Sequence, residues 1–417
     1  TPAEVRFHLS YAGGPREVCR LAATRLHADN VGTALMQAIA LAGKESATPA
    51  GRAQERAAIV DCDDFRAGVR RLLDAGNQAP SAELLAAARA HAAAGERAGL
   101  RHAADVNALA AALLAALRDP TAQVLSEESL SAALYAFARL RVDCPALYTL
   151  GAEQIALQGA AELRAEALAA ALWGLAVMGD DHNEGLQPLL QVLGYHWTEA
   201  PGDGALDLGR FELSHLAACA WALAVSGERR SAAFGAIWDA LCALSDEIWL
   251  GGSKRELQQL WQCLTILDAM GGDEGAALCA ALPPLARRGA AAAFEASDVT
   301  ISSAAVDAER ALSRLGIRAD SEVLVATPQG YGGLRVDLLL KPRVHDDEGA
   351  PRVVVEVDGP SHFSADGARV TGPTRATTRV LRALGYRVAR VGWQELMEAG
   401  DRDGQAAMLE RRIRQAT

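Results

Sequence analysis

The stretch Val355-Glu356-Val357-Asp358-Gly359-Pro360-Ser361-His362-Phe363 is the densest set of reactive side chains in the 417-residue chain. Glu356 and Asp358 are two residues apart, a spacing that puts both carboxylates on one face of a strand. A third carboxylate, Asp337, stands inside the apolar run Leu334–Leu340. A charge in such a strand is costly unless it is paired or metal-bound. The other constellation is basic. From Arg369 to Arg390 there are six arginines and no acidic residue. Arg375, Arg379 and Arg382 fall at i, i+4 and i+7, one face of a helix. Guanidinium forks suit bidentate phosphate contact, and the helix N-terminus at Thr371 to Thr374 offers an anion site. Solvated helix faces usually mix signs. The run is therefore expected to contact RNA through Arg369, Thr371, Thr374, Arg375, Arg379, Arg382, Arg387 and Arg390, with the 375/379/382 face exposed.

Both constellations need a sheet and a helix to hold them. Strand signals appear only beyond Ser297: Glu322–Thr327, Leu334–Leu340, Arg352–Asp358 and Tyr386–Val391. A turn-rich Pro328–Gly333 separates the first two. A helix from Pro373 to Leu384 lies between the last two, with Pro at its start and Gly385 after its end. Helices Ser302–Leu315 and Gly404 onward flank the strands. Gly330-Tyr-Gly-Gly333 lacks the strand, turn and helix setting of a nucleotide-binding loop. His91, His182 and His215 read as ordinary core or surface histidines.

The first 296 residues read as helical hairpins. Four segments resemble one another: Leu134-Tyr-Ala-Phe-Ala138, Leu172-Trp-Gly-Leu-Ala176, Ala220-Trp-Ala-Leu-Ala224 and Leu264-Thr-Ile-Leu-Asp268. Three of them reach a glycine at the same offset, Gly179, Gly227 and Gly271, which reads as a helix stop. Second helices follow at Gly185–Leu193 and Ser231–Leu244. Each hairpin has an apolar face that only a stacked neighbour can cover. Tyr135, Trp173 and Trp221 are expected as core aromatics between layers, not as base-stacking groups.

Composition agrees. Half of the residues are hydrophobic and only 5% aromatic, and alanine, the best helix former, dominates. No run approaches the roughly 20 apolar residues of a membrane span. Seven cysteines without a CxxC pair suit free thiols and exclude a disulfide framework or zinc finger. The formal charge is −11, yet from Asp298 onward 17 basic residues balance 17 acidic ones. The deficit lies in the first 297 residues. This excludes a uniformly basic nucleic-acid glove and leaves room for a local basic patch, or for a protein-binding helical scaffold. The chain opens on Thr1 and shows no secretory segment, so it reads as processed or trimmed.

The repeat segments from Leu130 to about Leu282 resemble the octotricopeptide repeats of green-algal organelle proteins, relatives of the FAST-kinase-like mitochondrial RNA proteins. Beyond them, Asp337, Glu356-Val-Asp-Gly359 with Pro360, His362 and Phe363, Thr371-Gly-Pro-Thr374 and Arg379-Val-Leu-Arg382-Ala-Leu-Gly385-Tyr386 resemble a RAP domain. The resemblance implies a mainly α chain: an α-solenoid of helical hairpin repeats over 1–296, then a small α/β domain over 297–417 similar to the PD-(D/E)XK, very-short-patch-repair fold. It further implies a non-catalytic RNA-binding protein of the mitochondrion, or alternatively the chloroplast. That protein would bind rRNA within a mitochondrial ribosome or act on an organellar transcript, beside other ribonucleoprotein subunits and with no membrane or small-molecule substrate. In the related nucleases, an Asp and a Glu hold a divalent ion and a Lys completes the site. Asp337 and Glu356 would then hold Mg2+ or Mn2+, but Asp358 stands at the Lys position, leaving His362 as the only proton carrier. No catalytic or metal site is therefore expected, and the metal-dependent RNA endonuclease is the alternative.

Overall fold

The computed structural model describes residues 14–44, 46, 48–95, 101–122, 125–158, 164–179, 185–198, 208–297, 302–341 and 352–416. Twenty α-helices account for most of them, and a four-stranded mixed sheet lies near the C-terminus. Among the described residues, no helix is long and apolar enough to cross a membrane. The chain forms two compact units: Thr1–Leu206 with Ser364–Arg369, and Asp207–Phe363 with Val370–Thr417. His182 lies outside the described residues.

In the first unit, the helix Glu127–Arg139 packs against Ala165–Met178 and Pro145–Gln158. It begins where the Ser126 side chain accepts the Ser129 N–H, capping an otherwise unpaired donor. Gly174 is what lets the repeat-equivalent helices touch, because a Cβ there would sit 2.8 Å from the Leu134 carbonyl. Tyr135 and Trp173 face each other with ring centroids 5.0 Å apart. Both are half-buried, not enclosed between layers as the repeat pattern predicts. The reason is the small alanine and glycine packing around them, which closes the helices below the rings.

In the second unit, the helix Leu213–Ser226 ends at Gly227, whose φ of 89° is the left-handed stop expected of glycine. Trp221 is buried there (5% exposed) and donates its indole N–H to Gln262. The helix Lys254–Met270 stacks on it and carries the fourth copy of the repeat segment. Thr265 stands where the other copies have an aromatic.

The sheet has the order β1 (Ala319–Ala326), β2 (Gly333–Leu340), β3 (Val353–Asp358), β4 (Arg387–Gly392). The first two pairings are antiparallel and β3–β4 is parallel, so the connection from β3 to β4 must cross over, and it carries the helix Gly372–Ala383. One face packs Leu338, Val355, Val357, Ala389 and Val391 against Leu312 and Leu409 of the flanking helices Ser303–Arg314 and Arg402–Gln415. The other packs Val336, Leu339, Val354 and Val388 against Leu381 of the crossover helix.

The missing aromatic at Thr265 has a structural use. The β1–β2 hairpin docks on the helix Lys254–Met270 through main-chain groups. Thr265 Oγ1 accepts the Gly333 N–H at 3.1 Å, and the Trp261 indole donates to the Gly333 carbonyl at 2.9 Å. Buried Asp268 accepts from Thr327 Oγ1 at 2.5 Å, from the Tyr331 N–H at 2.9 Å and from the Gln329 N–H at 3.2 Å. Three donors on one carboxylate satisfy a charge that would otherwise be costly to bury. Gly332 must lack a Cβ, which would lie 2.5 Å from Thr265 Cα.

Candidate nucleic-acid interface

The sheet brings the three carboxylates together. Antiparallel pairing of β2 with β3 ends at Leu338 and Val355. Beyond it the Val357 N–H has lost its ladder partner and donates to Asp337 Oδ2 at 2.6 Å. Parallel pairing sets Glu356 beside Arg390. Arg390 forks onto buried Asp358: Nε donates to Oδ2 at 2.7 Å and a terminal nitrogen to Oδ1. It also donates to Thr378 Oγ1 at 3.1 Å and lies 4.0 Å from Glu356. His362 Nδ1 is 3.1 Å from Asp358 Oδ1 and 3.2 Å from Thr374 Oγ1, which in turn bonds Thr371 Oγ1 at 3.0 Å.

Burial, and then the nearby Asp337 charge, push the Glu356 carboxyl up to about 8, against the pull of Arg390. Glu356 Oε1 is buried without a hydrogen bond. Burial also raises Asp337, although the Val357 N–H opposes the shift. Burial disfavours the Arg390 charge, but the Asp358 hydrogen bonds and the surrounding carboxylates outweigh it and raise its pKa.

These residues do not fit a divalent ion. The position between the carboxylates that an ion would need is filled by a guanidinium whose fork is committed to Asp358. Asp337 spends one oxygen on a main-chain N–H, and Glu356 favours its protonated form at neutral pH. Among the described residues, no group of three His, Cys, Asp or Glu side chains is placed to hold a metal. Asp337, Glu356, Asp358 and His362 form one internal polar network.

The arginine run is placed differently from the exposed face that its spacing predicts. Of the 375/379/382 set, only Arg382 is exposed, while Arg375 and Arg379 are half-buried. Arg379 donates to the Val225 carbonyl at the end of Leu213–Ser226, and Arg375 to the Val370 carbonyl at 2.8 Å. Arg387 donates to the Ala416 carbonyl at 3.1 Å, at the end of the last helix. In the first unit, Arg369 pairs with Asp143 at 2.8 Å and donates to the carbonyls of Met178 and Gly179 at 2.6 and 2.9 Å. Thr371 and Thr374 are buried, so the crossover helix does not present an open N-terminus.

A pattern unites these contacts. The three helices that stop at Gly179, Gly227 and Gly271 each give a C-terminal carbonyl to an arginine: Arg369, Arg379 and, at 3.0 Å, Arg229. Cations are favourable at helix C-termini, where carbonyls lack partners and the dipole is negative. The physical reason for the correction is that a helix end and a phosphate offer a guanidinium the same kind of oxygen.

A groove of about 650 Å³ opens in the first unit. Arg89, Arg139, Arg164 and Tyr135 line it, together with Glu128 and Glu166. Arg139 lies 5.9 Å from the Tyr135 ring centre, and Arg164 pairs with Glu128. Exposed cations beside a half-buried ring are the groups that stack bases and meet phosphates. The repeat pattern flags Tyr135 but not the arginines, which are scattered over three helices or their starts. Asp268, Trp261 and Arg229 were equally hidden; the broken fourth copy was the only signal for the first two. Of the histidines, His91 is buried, and burial pushes it down to about 4, while half-buried His215 completes a capping box with Glu212.

A family model, the RAP domain, matches residues 355–411. The matched segment runs from β3 into the last helix. It contains Glu356, Asp358, His362 and the whole arginine run, whereas Asp337 precedes it. RAP domains are generally RNA-binding. No curated protein matches the chain.

Proposed function

We propose, on the premise of a RAP domain beside a mostly helical array, that this is a non-catalytic RNA-binding protein of an organelle. It holds rRNA as a constituent of a mitochondrial ribosome, or stabilises and matures an organellar transcript, alongside other ribonucleoprotein subunits. The RAP match carries the reading. The groove with Arg89, Arg139 and Tyr135 supports it from the array, and exposed Arg382 with half-buried Arg375 from the RAP domain. The acidic network supports the absence of catalysis, because its charges are spent on each other and on Arg390.

The test is ultraviolet crosslinking to RNA in organelle extracts, with density fractionation to find the particle. A variant carrying Arg89→Glu, Arg139→Glu, Arg375→Glu and Arg382→Glu should lose at least tenfold of the crosslink and leave the ribosomal fractions. Exposed or half-exposed charge changes cost little stability, so circular dichroism should stay unchanged. Full crosslinking in the folded variant would remove the RNA reading, and a chloroplast particle would move its location. In a second arm, unstructured RNA incubated with the protein and Mg2+ or Mn2+ should stay intact. Cleavage that disappears on Asp337→Ala, Glu356→Ala substitution would make the protein a nuclease.

A further inference from the structure

Seven cysteines are free, and five of them sit as the apolar reading expects. Cys219, Cys263 and Cys279 are buried, and burial pushes their thiols up, Cys279 to about 12. Cys144 and Cys242 are half-buried. The remaining two are different. Cys19, in the helix Pro15–Thr24, is fully buried, and this helix packs on the helix Asp63–Asp74. Cys62 is the N-cap of that second helix, half-buried, and its Sγ accepts the Phe65 N–H at 3.4 Å. The Cys19 and Cys62 thiols share a side-chain hydrogen bond, so two sulfurs meet at a helix N-terminus, with one of them open to solvent.

The electrostatics favour a thiolate on the open sulfur. The hydrogen bond from Cys19, the Phe65 N–H and the Arg16 charge lower Cys62 to about 6, against burial and the Asp64 carboxylate. Cys19 is pushed far up, first by that same hydrogen bond and then by burial, with Asp64 adding to the rise. One sulfur is thus the nucleophile at neutral pH and its neighbour holds the proton.

We propose that Cys62 and Cys19 form a redox-active dithiol, in which Cys62 is the site of attack by hydroperoxides and Cys19 closes the product into an intramolecular disulfide. The Cys62 thiolate attacks one peroxide oxygen. A sulfur–oxygen bond forms, the oxygen–oxygen bond breaks, and the departing oxygen takes a proton and leaves as water, or as an alcohol from an organic peroxide. Cys19 then attacks the Cys62 sulfenic acid; the sulfur–sulfur bond forms, and the hydroxyl leaves as water with the Cys19 proton. Two thiols are oxidised, one peroxide is reduced, and a dithiol reductant reverses the product. The inference goes beyond the RNA reading and does not depend on it.

The experiment titrates the full-length protein with hydrogen peroxide, blocks the remaining thiols and maps peptides without reduction. A Cys19–Cys62 cross-linked peptide, lighter by two hydrogens and reversed by dithiothreitol, should appear before any other cysteine is modified. Cys62→Ser keeps an N-cap oxygen and should abolish the link and leave Cys19 unmodified. In the unmutated protein, alkylation of Cys62 by iodoacetamide should have a pH midpoint near 6, about two to three units below an ordinary thiol. The proposal fails if Cys144 or Cys242 oxidises before any Cys19–Cys62 link forms. It also fails if Cys62 alkylates with an ordinary midpoint, or if the link survives as the dominant product through another pair in Cys62→Ser.

Discussion

Replacing Arg390 by alanine should destabilise the RAP-containing unit by about 3–5 kcal/mol, because it strands buried carboxylates without their cation. Asp358 is 1% exposed and Glu356 7%, and Asp337 lies beside them. Arg390 is the only cation paired with either of the two buried acids among the described ion pairs, apart from His362 beside Asp358. Arg390→Lys should rescue only part of the loss, since a point charge cannot reproduce the fork that reaches both oxygens of Asp358 and Thr378. The urea midpoint of the transition reporting on this unit is the measurement. A midpoint unchanged in Arg390→Ala would mean that the carboxylates are not buried as described.

The second large effect is a pH dependence. The Glu356 carboxyl is raised in the fold to about 8 from an unfolded value near 4.5. Between those values the unfolded chain has released its proton while the folded chain keeps it. The contribution is therefore complete below about 4.5 and disappears as pH rises through 8, where up to about 5 kcal/mol is lost by linkage. Asp337, also raised, adds in the same direction. Glu356→Gln removes the titrating group while keeping the shape, so the decline in stability from pH 5 to 9 should flatten. Parallel profiles for the two proteins would show that Glu356 does not hold its proton in the fold. Neutrality at pH 7 also explains how three carboxylates share one guanidinium.

Much of this arrangement was legible in the residues. Alternation and turn chemistry place all four strands, and glycines 179, 227 and 271 mark real helix ends. The face-sharing of Glu356 and Asp358 follows from their spacing, and a costly Asp337 in an apolar strand demands a partner. What pattern does not supply is the identity of that partner. The Val357 N–H becomes free only because the β2–β3 ladder stops at Val355, and Arg390 reaches Asp358 only through the parallel register of β4. The arginine run failed for a related reason. Its periodicity and sign are real, but Arg369, Arg379 and Arg387 find carbonyls at helix ends that lie far away in sequence. Tertiary packing decides between such an end and a phosphate, and the local residues are the same for both.

The docking of the β1–β2 hairpin has a consequence for how this joint tolerates evolutionary change. Asp268 and Thr265 recognise main-chain groups of Gln329, Tyr331 and Gly333, which every residue type except proline would offer. Side-chain identity at Gln329 is therefore open to drift. Loop length is not, because one inserted or deleted residue would move each N–H off its acceptor. Gly330, with φ 74°, and Gly332, pressed on Thr265, are fixed by shape alone. Such a joint accumulates substitutions readily and purges insertions and deletions, so distant descendants should keep its spacing and its two glycines after the intervening letters have changed.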